Sequence, residues 1–280
     1  MLLALKYGAD PNQTYLDGDT ALTFASTYDR KEVVELLLAH GANVNHATQS
    51  GNTALIRSSL NGYTEIVELL LAHGADVNHA DQDGDTALMF ASLNGRKEIV
   101  ELLLAHGADV DQTDLDGDTA LIDASLNGHK EVVEILLADG ADINHANQSG
   151  DTPLIFASCN GYTQVVEILL ADGADINHAN QLGVTALMGA SFNGYVEVVK
   201  LLLALEYDAD PNQTDQRGNT ALMFASLNGR KEIVELLLAH GADINHANQE
   251  GNTALINASS TGRKEVVELL LAHQSNRSRG

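Results

Sequence analysis

One short sequence unit recurs eight times along this chain, and its spacing limits the possible fold more than any other feature. A turn glycine marks each copy, at Gly18, Gly51, Gly84, Gly117, Gly150, Gly183, Gly218 and Gly251. The first five intervals are 33 residues long, the sixth is 35 and the last is 33. A period of this length indicates a linear array in which each unit packs against its neighbours. A unit copied so faithfully also leaves little room for a single catalytic constellation.

Within one unit, from Gly84 to Asp116, the residue pattern predicts two helices joined by a tight loop. Thr86 precedes a short apolar run and is suited to cap its first turn. Asn94-Gly95 ends that helix, because glycine accepts the left-handed conformation at a helix C-terminus. A second helix is predicted from about Lys97 to His106, followed by an extended connection to the next turn. Its apolar residues cover too much of the circumference for a one-sided surface helix, so we expect neighbouring units on both flanks.

These residues resemble a known family. Its repeat is matched by Gly84-Asp85-Thr86-Ala87-Leu88, Asn94-Gly95, Glu98-Ile99-Val100-Glu101-Leu102-Leu103-Leu104 and Gly107-Ala108-Asp109-Val110, which look like the ankyrin repeat. The resemblance implies an all-α solenoid of stacked helix-turn-helix units with projecting β-turn or hairpin loops, used as a protein-binding surface. It also implies a chain without enzymatic activity or cofactor. We predict one continuous array over residues 1–273, with a partial repeat at 1–14, followed by a disordered tail at 274–280.

The chain departs from the Thr-Pro-Leu-His motif of the family at two positions. Proline survives only as Pro153, and the histidine position holds Thr23, Ile56, Met89, Ile122, Ile155, Met188, Met223 and Ile256. A polar partner of the capping threonine has thus become an apolar plug in most repeats. We therefore expect apolar packing between repeats where the family uses a hydrogen-bond network.

Charge and cysteine content narrow the partners and the compartment. Lys plus Arg number 15 and Asp plus Glu 39, so the net charge is −24. Such a surface repels phosphate backbones and anionic lipid, which favours a basic or amphipathic protein segment over nucleic acid or membrane. The single Cys159 suits a reducing compartment. Because Met1 to Asp10 lacks the basic flank of a secretion signal, we predict a cytoplasmic or nuclear protein.

Positions that vary between repeats are the candidates for partner binding. The first set, called here the groove row, stands two residues before each helix-ending glycine and consists of Leu60, Leu93, Leu126, Cys159, Phe192 and Leu227. By resemblance to the family it faces the concave groove, although packing of these side chains onto neighbouring helices is the favoured interpretation. The second set, called the acidic tips, consists of Asp81, Asp83, Asp85, Asp114, Asp116 and Asp118. Two interpretations are open: these carboxylates attract a basic segment of a partner, or they only keep the edge of the array hydrated. The later tips carry Leu182, Val184, Arg217 and Glu250 instead.

A third row follows the plug position and alternates large and small residues. It contains Phe24, Arg57, Phe90, Asp123, Phe156, Gly189, Phe224 and Asn257. Alternation of this kind favours packing of facing layers, with a docking surface as the alternative.

Two patterns suggest a metal site but do not support one. Asp81-Gln82-Asp83-Gly84-Asp85 lacks the glycine and glutamate spacing of a calcium loop, since Ser92 stands where the glutamate is needed. A histidine also recurs at the same loop position of five repeats, as His46, His79, His145, His178 and His246. Adjacent repeats lie about 8–10 Å apart, too far for these residues to share one ion, so we predict structural roles and no metal.

The family resemblance also implies one candidate modification. The segment ending Asp76-Val77-Asn78 looks like the ankyrin loop that is hydroxylated at asparagine by a 2-oxoglutarate oxygenase. Asn45, Asn144, Asn177 and Asn245 occupy equivalent positions, whereas Asp111 breaks the series.

The predicted function is a non-enzymatic scaffold for protein binding. The alternative is a targeting or regulatory portion of a larger adaptor or effector whose activity lies outside this chain. Neither end of the array carries a polar capping repeat, so we also expect self-association through the ends.

Overall fold

The computed structural model describes residues 9–277, whose regular secondary structure is almost entirely α-helical, with turns and loops between the helices. The chain divides at Asp142 and Ile143 into two compact units. The described part of the first unit contains four helix pairs, α1 Ala21–Thr27 with α2 Lys31–Ala39, α3 Ala54–Asn61 with α4 Thr64–Ala72, α5 Ala87–Leu93 with α6 Lys97–Ala105, and α7 Ala120–Leu126 with α8 Lys130–Ala138. The second contains α9 Pro153–Asn160 with α10 Thr163–Ala171, α11 Ala186–Asn193 with α12 Val196–Leu202, α13 Ala221–Leu227 with α14 Lys231–Ala239, and α15 Ala254–Ser260 with α16 Lys264–Arg277. The all-α prediction of stacked helix-turn-helix units is confirmed.

Each first helix of a pair begins at the predicted threonine. Thr86 Oγ1 accepts a hydrogen bond from the Met89 amide at 3.3 Å, and Thr119 Oγ1 accepts one from the Ile122 amide at 3.4 Å. Such a cap satisfies an amide that the first turn leaves without a partner, and contributes about 1 kcal/mol. The threonine therefore fixes where the helix starts in every repeat.

The core of each unit lies between successive first helices, which pack on one another, and between these and the buried faces of the second helices. The plug residues fill this core: Ile56, Met89 and Ile122 are at most 2% exposed, and Met188 and Met223 are 1% exposed. The prediction that these side chains pack in the apolar core, where the family has a histidine, is thus confirmed at these positions. Ile256 in the last pair is 46% exposed, because no following helix pair covers it in the described residues.

Two elements differ from the sequence expectation. In the 35-residue interval, where Leu205-Glu206-Tyr207-Asp208 replaces the usual His-Gly pair, the sequence predicts either a longer second helix or a looser exit from it. The helix is not lengthened: α12 ends at Leu202 and a turn follows, with Asp208 at φ 54° in place of the usual glycine. The last helix instead runs on to Arg277, beyond the predicted boundary of the tail at 274. No glycine stops it after His273, and the Gln274 side chain donates to Asn245 Oδ1. Residues 1–8 and 278–280, including most of the predicted partial repeat, lie outside the described part.

Candidate partner-binding surfaces

The acidic tips divide into turn-building and outward-facing residues. Asp81 Oδ1 accepts the amides of Asp83 at 3.0 Å and Asp85 at 3.1 Å. Asp114 does the same for Asp116 and Asp118. Other repeats place Asn147, Asn180, Asp215 or Asn248 at this position with the same two bonds. Asp81 and Asp114 are therefore needed by the turn, whereas the negative charge of Asp83 and Asp116 is not.

Successive tips within a unit are joined by backbone hydrogen bonds. The Gln82 amide donates to Ser50 O at 3.0 Å, and the Leu115 amide donates to Asp83 O at 2.9 Å. The Gln82 side chain adds a bond to Gln49 O. In the second unit the amides of Gln216 and Gln249 make the equivalent bonds to Leu182 O and Arg217 O. Carboxylates carried on these tips are consequently held at a regular spacing.

The tips of the first unit concentrate negative charge. Carboxylate oxygens of Asp81, Asp83 and Asp85 lie within 4.8 Å of one another. Burial, and then repulsion from the neighbouring tip carboxylates, raises the pKa of Asp85 to about 6. Burial, and then repulsion from Asp118, Asp85 and Asp114, raises the pKa of Asp123 to about 8. A local excess of negative charge of this kind attracts cationic groups.

The groove row lies partly exposed on the first helices. Leu60, Leu93 and Leu126 are half-buried, and so are Cys159 and Leu227, whereas Phe192 is 45% exposed. The Phe192 ring also packs edge to face on Phe224, with ring centroids 5.9 Å apart. Each of these side chains is thus partly exposed to solvent. Burial raises the pKa of the Cys159 thiol to about 11, so it stays protonated at neutral pH.

The five candidate hydroxylation residues are exposed, and their side chains bind the following repeat. Asn78 donates from Nδ2 to Gly107 O at 3.2 Å and accepts from the Asp109 amide at 2.8 Å. Asn45 makes the same pair of bonds. In the second unit, the side-chain oxygens of Asn144, Asn177 and Asn245 each accept a hydrogen bond from a residue further along the chain, namely the Asp175 amide, the Asp210 amide and the Gln274 side chain. Asp111, which breaks the series, still accepts from the Asp142 amide. A structural role therefore explains the recurring asparagine, and its hydroxylation stays a prediction.

Replacing Asn78 with alanine is expected to lower the free energy of unfolding by about 1–2 kcal/mol, since two hydrogen bonds between repeats are lost. Asn78→Asp keeps the acceptor for the Asp109 amide, as Asp111 does for Asp142, and should cost about half as much. Urea unfolding followed by circular dichroism measures both. Equal losses for the two variants would show that the acceptor contributes nothing.

The recurring histidines are structural where their bonds are described. His79 and His178 each donate from Nε2 to the carbonyl oxygen of the preceding repeat's turn glycine, Gly51 and Gly150, at 2.9 Å. His46 and His246 make the equivalent bond. The prediction of structural loop histidines is confirmed at these four positions.

The sequence analysis does not predict an apolar pocket that lies at the tips of the second unit. Its volume is about 360 Å³, and Leu182, Val184 and Phe224 form its apolar wall, with Arg217 beside them. Val184 and Phe224 are distant in sequence and come together only when two repeats stack. The available signal is the presence of apolar residues at turn positions that are polar in every other repeat.

Comparison with known families agrees with this architecture. A family profile described as "Ankyrin repeats (3 copies)" matches residues 1–81, 74–147, 140–215 and 187–278. The chain therefore belongs to the ankyrin repeat family. A search of curated protein sequences found no match. Ankyrin repeats are generally protein–protein interaction modules and are typically not enzymes. Among the described helices none is long and apolar enough to cross a bilayer.

Proposed function

We propose that this chain is a non-enzymatic scaffold that binds a basic or amphipathic segment of a partner protein through the groove row and the acidic tips. The observation that carries the proposal is a group of carboxylates at the tips of the first unit, none of which forms an ion pair among the described residues: Asp81, Asp83, Asp85, Asp114 and Asp116. Asp83 and Asp116 are exposed and are not required as turn acceptors. Clustered like charge is costly for the free protein, and a cationic partner relieves that cost.

The groove row supplies the apolar half of this recognition. Leu93 and Leu126 are half-buried members of the row in the first unit, on the helices α5 and α7 that follow the acidic turns. A partner segment with both cationic and apolar side chains would match the two features together. Such amphipathic segments are a common ligand of shallow protein grooves.

The test uses a fluorescent amphipathic Lys/Leu peptide, with a Glu/Leu peptide of the same pattern for comparison. In fluorescence anisotropy, Asp83→Asn with Asp116→Asn should weaken Lys/Leu binding about three- to tenfold at low salt, since two favourable charge contacts are lost. The control Glu98→Gln with Glu131→Gln removes the same charge from the outer helices and should leave binding nearly unchanged. Leu93→Ser with Leu126→Ser, checked for folding by circular dichroism, tests the apolar half.

Equal weakening by the tip pair and the outer-helix pair would show that net charge alone attracts the peptide, and would reject the tips as a site. If the tip pair behaves as expected, affinity capture from the host cell with the same variants identifies the natural partner.

The proposal extends to self-association of the chain. It is supported by exposed apolar and aromatic side chains in the first repeat: Tyr15 is 68% exposed, Leu16 69% and Tyr28 60%. Sedimentation of the same preparations as a monomer at all concentrations would exclude it.

A further inference from the structure

Two turn positions become apolar in only one repeat. At the first position the repeats carry, in order, Asp17, Ser50, Asp83, Asp116, Ser149, Leu182, Arg217 and Glu250. At the second they carry Asp19, Asn52, Asp85, Asp118, Asp151, Val184, Asn219 and Asn252. Only Leu182 and Val184 are apolar, although the turn that holds them is the same as elsewhere.

The stack itself does not require these two side chains. The amides of Leu182 and Val184 donate to Asn180 Oδ1 at 3.0 and 2.9 Å, as the corresponding amides do in the acidic turns. Leu182 remains 64% exposed. Because polar residues build the same turn in seven other repeats, packing does not account for exposed apolar surface at this one.

Further apolar surface lies beside them in the same unit. Phe224 of the next repeat lines the pocket together with Leu182 and Val184. Phe192, the one aromatic member of the groove row, packs against Phe224 and is 45% exposed. The volume of about 360 Å³ is that of a small binding pocket and accommodates one large apolar side chain.

The pocket lining holds one cationic group, Arg217, which suits an anionic neighbour for that side chain, and one anionic group, Asp215. Arg217 lines the pocket, is exposed, and forms no ion pair within the described part of the chain. The Asp215 carboxylate already accepts bonds from the Arg217 amide and from both nitrogens of Asn219. Glu250, on the following turn, accepts from Asn252 Nδ2. The guanidinium of Arg217 is therefore the polar group that remains available to a ligand carboxylate.

We propose that this pocket docks a partner segment that carries a large apolar side chain next to an acidic residue, the apolar group against Leu182, Val184 and Phe224 and the carboxylate on Arg217. A buried apolar anchor with one oriented charge contact is the usual composition of an energetically dominant contact. The pocket does not use the acidic tips, so this inference goes beyond the function proposed above and does not depend on it.

The test is an NMR titration of the full chain, labelled at leucine and valine methyl groups, with acetyl-Phe-Glu-amide. Acetyl-Phe-Lys-amide and acetyl-Ser-Glu-amide serve as comparison probes. The first peptide should shift the Leu182 and Val184 methyl signals and bind at least about fivefold more tightly than either of the others, since each of them lacks one of the two contacts.

Three variants use residues that other repeats already place in the same turn, so the fold is expected to persist. Arg217→Glu, which matches Glu250, should weaken acetyl-Phe-Glu-amide about tenfold by replacing an attraction with a repulsion. Val184→Asp and Leu182→Ser, which match Asp151 and Ser149, should each weaken it severalfold. Asn52→Asp adds the same charge as Val184→Asp to a turn of the other unit and should have no effect.

The proposal fails if acetyl-Phe-Lys-amide binds as tightly as acetyl-Phe-Glu-amide, or if the pocket variants leave the titration unchanged. Methyl shifts that depend on protein concentration without peptide would identify a second copy of the chain as the occupant, and would also overturn it. Asp83→Asn with Asp116→Asn should leave this titration unaltered. Failure here is thus distinguishable from failure of the acidic-tip proposal.

Discussion

Replacing Gly84 with alanine is expected to lower the free energy of unfolding by about 3 kcal/mol, since strain and overpacking add. Gly84 has φ +90°, in the left-handed region that a side chain disfavours. A Cβ atom there would also lie 2.8 Å from Asp114 Cα and 2.9 Å from the Leu115 nitrogen, on the backbone of the next turn. Backbone atoms have no rotamer by which to withdraw, so the two turns would have to separate.

The variant Gly107→Ala measures the backbone strain of a positive φ without the steric clash that Gly84→Ala adds. Gly107 has φ +85°, but no atom lies within 4 Å of the position its Cβ would take. Its replacement should cost only about 1 kcal/mol, which is the conformational part alone. Urea unfolding of both variants measures the difference. If they lose equal stability, the close approach of successive turns contributes nothing and this explanation of the glycine period is wrong.

Asp123→Asn is expected to stabilise the protein, and more strongly as the pH rises. The pKa of Asp123 is raised to about 8 from an ordinary value of 3.8, first by burial and then by the carboxylates of Asp118, Asp85 and Asp114. The folded state therefore holds this proton more tightly than the unfolded state does. The resulting stability is fully present below about pH 4 and is lost as the pH rises through 8. An asparagine side chain does not titrate, so the variant does not lose this stability as the pH rises. Asn257 already occupies the equivalent position in the last repeat.

The expected gain at pH 8 is about 2–4 kcal/mol, because one unit of pKa shift corresponds to about 1.4 kcal/mol and the partial exposure of Asp123 reduces the effect. Unfolding by urea at several pH values between 4 and 8 gives the comparison. Asp116→Asn, at an exposed tip, serves as the control and should change stability little. A parent protein whose stability does not fall between pH 5 and pH 8 relative to Asp123→Asn would contradict the burial of this carboxyl group.

The period and the capping residues are sufficient to predict the helices, because both act locally. The second helix predicted from about Lys97 to His106 runs over Lys97–Ala105. The 35-residue interval shows the limit of this local reasoning: its two extra residues are accommodated in a turn after α12, which the period alone does not locate. The surface properties are harder to predict for the same reason. The pKa of Asp123 is raised first by burial and then by carboxylates on two successive turns, and the pocket joins Val184 with Phe224 of the next repeat.

The backbone bonds between successive turns make one edge of each unit mechanically unlike the other. Along the tips, main-chain bonds such as Gln82 to Ser50 fix the separation of neighbouring repeats. The outer helices touch through side chains, for example Lys31 with Glu65, which slide and re-form at little cost. When a unit flexes, we therefore expect the spacing of its outer helices to change more than the spacing of its tips. A ligand lying along the tips would then find its contact residues at the same separations whether or not the unit bends.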